Sequence, residues 1–131
     1  MKSVAEDIKD MLVADTSLKL IFAKNLFIGM PPPSVTQSVT VIDTTGRGPD
    51  LTLNENEYRY EGVQVRVKGY KYDVQYELAN KILNSLHKRA NVTWNGSLYI
   101  LISAIDTPAL LEWEVDGRVH LIFNIKTQRK V

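Results

Sequence analysis

The chain has 131 residues, 44% of them hydrophobic and 24% charged, with a formal net charge of +1 at pH 7. That length supports one sizeable core without metal or disulfide staples, and the near-zero charge removes the global attraction to nucleic acid or anionic membranes on which a basic binding module relies. The absence of cysteine excludes a disulfide framework and thiolate metal or redox chemistry.

Ser3 followed three residues later by Glu6 is a capping box, and Val4, Ile8, Met11 and Leu12 then share one face, so a first helix is expected from Ser3 to Ala14. Lys2, Glu6, Asp7, Lys9 and Asp10 break the apolar run that a secretory signal needs, and no stretch approaches the roughly 20 apolar residues of a membrane span. Synthesis and folding in the cytoplasm are the expectation. Asp15, Thr16 and Ser17 interrupt the helix, and Leu18, Leu20, Ile21 and Phe22 leave a second short turn or helix open before Asn25. Leu26 to Gly29 reads as a short strand that Pro31, Pro32 and Pro33 end, because proline donates no ladder hydrogen bond. Val39, Val41 and Ile42 place the next strand through Thr45. Gly46, Gly48 and Pro49 then open a loop through Asp50, Asn54, Glu55, Asn56 and Glu57, anchored only by Leu51 and Leu53. A connection of that length is often functional, and a solvated hairpin tip without a role fits its composition equally well.

Between Tyr58 and Arg89 the pattern changes period. Val63, Val65 and Val67 alternate with Gln64, Arg66 and Lys68, as in a strand with one buried face, and after Gly69 an apolar stripe of Val74, Leu78, Ala79, Ile82, Leu83 and Leu86 marks a long amphipathic helix. Asn95-Gly96 is a two-residue turn signal that sets Val92 to Trp94 against Leu98 to Ile105, and Asp116-Gly117 is a second such signal between Leu110 to Val115 and Arg118 to Lys126. In the last strand Leu121, Phe123 and Ile125 point one way and His120, Ile122 and Asn124 the other. These elements define an α+β fold in a single domain spanning 1–131: a mixed or mainly antiparallel sheet, with the N-terminal helix and the long central helix packed on one face.

Little in the chain suggests catalysis. His87 and His120 fall in different elements without the spacing of a zinc helix, and His87, beside Lys88 and Arg89 at the end of the long helix, is explained by the helix dipole. Gly46-Arg47-Gly48 leads to Pro49 rather than into a helix, so it is not a phosphate cradle, and Ser97 and Ser103 have no nucleophile elbow around them. A metal-dependent nuclease built on Pro49-Asp50 would need a second carboxylate on the following strand, where Gln64, Val65, Arg66, Val67 and Lys68 supply none two positions before Lys68. No catalytic residue, metal or cofactor is therefore expected. Gln64, Arg66 and Lys68, with Tyr58, Tyr60, Tyr70, Tyr72 and Tyr76 nearby, are better read as a binding surface or a solvated sheet face.

The order of elements, with Asp43-Thr44-Thr45-Gly46 ending one strand, Val63-Gln64-Val65-Arg66-Val67-Lys68-Gly69-Tyr70 forming the next, then a helix and a strand pair around Asp116-Gly117-Arg118, resembles the minor capsid and tail terminator proteins of long-tailed bacteriophages. The resemblance runs from about Val4 to Gln128, with one departure: Thr45 stands in the family's usually glycine-rich turn. It implies a structural virion protein, made in the host cytoplasm, that forms a ring, commonly of six subunits, on the end of the tail tube. Such a ring stops tube polymerisation and presents the head-joining surface. Its partners would be itself, the tail tube protein and a head completion or connector protein, with DNA passing through the lumen and no sequence-specific nucleic acid recognition or membrane. A closing ring needs a heterologous interface, and the candidate subunit-interface residues are Gln64, Arg66 and Lys68 as one patch with His120, Ile122 and Asn124 as its complement. Arg47, Asp50, Asn54, Glu55 and Glu57 form the candidate partner-contacting or lumen loop. The alternatives are a head completion or neck protein on the connector side and, in a different class, a monomeric adaptor that binds a peptide by strand addition.

Overall fold

In the computed structural model, which describes residues 1–49 and 58–130, the capping box forms as the sequence requires. Ser3 Oγ accepts from the Glu6 amide at 3.2 Å and Glu6 Oε2 accepts from the Ser3 amide at 3.0 Å, opening helix α1 (Val4–Ala14). Asp43 from the sheet reaches across to accept from the Ala5 amide at 2.9 Å, satisfying another orphan donor of the helix start. Val4, Ala5, Ile8, Met11 and Leu12 are completely buried. The ambiguous segment after α1 resolves earlier than its apolar residues suggest, as a single turn of 3-10 helix at Thr16–Leu18. Asp15 caps it through Ser17 and also accepts from Ser85 Oγ at 2.7 Å.

The strands are β1 (Leu26–Ile28), β2 (Ser38–Arg47), β3 (Tyr58–Gly69), β4 (Arg89–Trp94), β5 (Ser97–Ala104), β6 (Ala109–Trp113) and β7 (Val119–Lys130), and helix α2 (Tyr72–Leu86) lies between β3 and β4. Among the described residues they form one seven-stranded sheet in the order β1-β2-β3-β7-β5-β4, with β6 also on β7. It is mixed, because β1 runs parallel to β2 while every other pair is antiparallel. β5 and β6 run along the same edge of β7. In the break between them Asp106 accepts from the backbone and side-chain amides of Asn124 at 2.6 and 2.9 Å, taking the place of the missing ladder.

The period-two pattern sets the register. Val63, Val65 and Val67 lie directly opposite Ile125, Phe123 and Leu121, so all six side chains share the face on which both helices pack. The long helix is rotated from the orientation its apolar spacing assigns. Its buried residues are Gln75, Ala79, Ile82 and Leu86, Leu78 and Leu83 flank them, and Val74 is 43% exposed. Gly69 is the cause: Gln75 packs so closely over it that a Cβ there would lie 2.3 Å from the Gln75 amide nitrogen, and the buried Gln75 Oε1 accepts from Gln37 Nε2 at 3.2 Å. The helix also stops at Leu86 rather than continuing to Arg89. The His87 amide donates to Leu83 O while its Nδ1 accepts from the Ala104 amide at 2.9 Å, Lys88 turns to φ 69°, and Arg89 begins β4.

An ion cluster closes one end of the core. Arg129, 1% exposed, donates to both carboxylate oxygens of Glu61 at 2.7 and 3.0 Å and to the Lys2 carbonyl at 2.8 Å, and lies 3.5 Å from Asp7. Asp7, itself fully buried, accepts from Tyr99 Oη and from Asn95 Nδ2. Burial and the adjacent Asp7 carboxylate push the Tyr99 phenol well above its usual range, which keeps it a donor.

Candidate functional site

The six interface candidates come together on the sheet face that the helices leave uncovered. Gln64 pairs with Asn124, Arg66 with Ile122 and Lys68 with His120, and direct cross-strand partners project to the same side. They are therefore one patch, not the two complementary ones that their separation in sequence suggests. Ser38, Thr40 and Ile42 of β2, opposite Lys68, Arg66 and Gln64, extend it. All six are buried or half-buried, and their polar groups are largely engaged within the chain. Arg66 Nε donates to Gln64 Oε1 at 2.6 Å, Gln64 Nε2 lies 3.4 Å from Asn124 Oδ1, and Lys68 is ion-paired to Glu114.

At the His120 end the face deepens into a groove of about 420 Å³ between the Met30 to Pro33 segment and the β6–β7 hairpin. Arg118 fixes the two walls by donating to the Val35 carbonyl at 2.7 Å, while its other nitrogens hold Asp116 at 2.7 Å and Glu114 at 3.3 Å. His120 is 8% exposed, and burial together with the nearby Arg66 guanidinium lowers its pKa below the ordinary imidazole value, favouring the neutral ring at pH 7. Its Nδ1 sits 3.6 Å from Glu112 Oε1. Glu112, Glu114 and His120 each offer a ligand atom within 4.8 Å of the others.

That cluster is invisible if Asp116-Gly117 is a two-residue turn. The Glu114 amide instead donates to Arg118 O, and Gly117 stands at φ 91°, so the loop has three residues, Val115 to Gly117. The register slips by one, and Glu112 rather than Trp113 faces His120. Such a slip exchanges the two faces of a strand. Trp113 consequently lies on the helix side, 58% exposed, stacked at 6.4 Å on Tyr72, which stacks at 6.1 Å on Tyr76. With Tyr70 and Val74 also exposed, this is an apolar surface on the opposite side of the sheet from the polar face.

Of the candidate loop, Arg47 ends β2, two residues beyond the expected strand end, with its guanidinium 3.9 Å above the Tyr60 ring; Asp50, Asn54, Glu55 and Glu57 lie outside the described residues. Among the described residues no helix is long and apolar enough to cross a membrane.

The fold of two helices on a mixed sheet is similar to that of a chain of the virion of a native gene transfer agent particle, which matches with a TM-score of 0.71 over 98% of this chain and 96% of that one, at 10% identity. Among curated proteins none matches. The chain belongs to the bacteriophage tail terminator proteins, whose family model covers residues 2–131. It is thus a structural protein of the phage tail end.

Proposed function

We propose that this protein closes into a ring, commonly of six copies in its family, on the end of the tail tube, stops tube polymerisation and presents the surface that joins the filled head. The observation that carries the proposal is the family match over residues 2–131. The architecture is consistent with assembly without catalysis. A heterologous contact needs two different patches, and the fold offers them on opposite sides of the sheet: the Gln64, Arg66, Lys68, His120, Ile122 and Asn124 face, and the Tyr72, Tyr76 and Trp113 surface. Aromatic side chains of that kind bury large areas at low entropic cost. The partners above and below the ring are the head connector and the tail tube protein, and DNA passes through its lumen.

Two variants test the pairing. Arg66→Glu with Lys68→Glu disturbs the polar face, at about 1–2 kcal/mol of stability for the lost Glu114 pair and the new repulsion, while Trp113→Ser disturbs the aromatic one. Each variant alone should remain folded and fail to form rings by native mass spectrometry or on tube ends. Mixed together they should stop at a heterodimer, because only one intact contact can form between them. Rings formed by either variant alone would remove that patch from the interface.

A further inference from the structure

We propose that Glu112, Glu114 and His120 form a binding site for a divalent transition metal ion, Zn²⁺ being the best match, with Lys68 occupying the position of the ion in its absence. The site is built by the strand geometry. Glu112 and Glu114, two residues apart, project to one side of the hairpin, and His120 lies directly opposite Glu112 on β7. An independent sign of a ligand is the imidazole itself: His120 is 92% buried, yet its Nδ1 has no hydrogen-bond partner among the described residues and faces Glu112 Oε1 at 3.6 Å. That separation is beyond a hydrogen bond. It is close to the roughly 3.4 Å between two ligand atoms on a tetrahedral zinc with bonds near 2.1 Å.

The donor set decides the metal. One imidazole nitrogen and two carboxylates suit Zn²⁺ and its neighbours, whereas Mg²⁺ and Ca²⁺ prefer oxygen alone. The groove leaves room for water in the fourth position. Charge balance explains Lys68. Without an ion the Glu114 carboxylate is neutralised by the Lys68 ammonium and by Arg118; a bound ion takes over the first role, and Lys68, whose side chain is 19% exposed, turns out into the groove. The consequence is a clamp across the β6–β7 hairpin at the edge of the polar face. This inference rests on the side-chain cluster and is independent of the ring.

The test is calorimetric titration of the full chain, first stripped with a chelator, with ZnCl₂ and separately with MgCl₂. One Zn²⁺ should bind per chain and raise the melting temperature, with no comparable heat from Mg²⁺. Glu112→Gln, a change at a 60% exposed side chain that leaves the fold undisturbed, should weaken zinc binding at least tenfold, as should His120→Gln. Lys68→Met should strengthen it about tenfold by removing the competing cation. Absence of zinc binding, or binding unaltered by Glu112→Gln, would overturn the site; weaker binding in Lys68→Met would overturn the exchange with the ammonium.

Discussion

Replacing Ile82 with Asp should destabilise the fold by at least about 4–5 kcal/mol, while Val74→Asp should melt close to the parent protein. Both positions belong to the apolar stripe of α2, so spacing alone predicts similar damage. They differ in what they touch: Ile82 is fully buried against the sheet, and Val74 is 43% exposed on the outer side of the helix. The Ile82 change loses the transfer free energy of a large aliphatic side chain and buries a carboxylate with no partner, a combined cost of at least about 4–5 kcal/mol. That is a large share of the roughly 5–15 kcal/mol that stabilises a domain of this size. Circular dichroism melts of the two variants decide the matter. Equal destabilisation would mean that the helix packs as its raw spacing implies, with Val74 inward.

The second large effect is expected at Arg129. Arg129→Met should lower stability by about 3–5 kcal/mol and the melting temperature by roughly 10–20 °C. The methionine replaces the volume of the arginine stem, so the loss is electrostatic: Asp7, completely buried, and Glu61 are left without the cation that both face, and the Lys2 carbonyl loses its donor. Adding Asp7→Asn to Arg129→Met should return part of the loss, because it removes one of the orphaned charges while Tyr99 and Asn95 keep a polar partner. Urea denaturation of the single and double variants measures both. A loss below about 1 kcal/mol in the single variant would show that the cluster is effectively solvated.

The elements whose physics is local were legible in the sequence. The Ser3 and Glu6 capping box, the alternation of Val63, Val65 and Val67, and the Asn95-Gly96 turn each determine their structure within a few residues, and all three appear as expected. What was not legible depends on contacts between distant segments. Val74 is outward because Gln75 seats over Gly69, and the helix stops at Leu86 because the Ala104 amide, from another strand, finds the His87 ring. For the candidate site, the residues were identifiable but their arrangement was not. Lys68 and His120 are 52 positions apart in the chain and opposite each other in the sheet, which turns two imagined patches into one. The Glu112, Glu114 and His120 cluster depended on a single residue of loop length between Val115 and Gly117. Gly117 itself was the available signal, since glycine at the left-handed position of a three-residue loop is a common hairpin solution.

The measurement that bears most directly on the tail terminator role is electron microscopy of lysates from the parent phage with this gene inactivated, scoring tail length and head attachment. Tails of uncontrolled length beside filled, unattached heads are the predicted result. Tails of normal length would contradict it and move the protein to the head side of the joint.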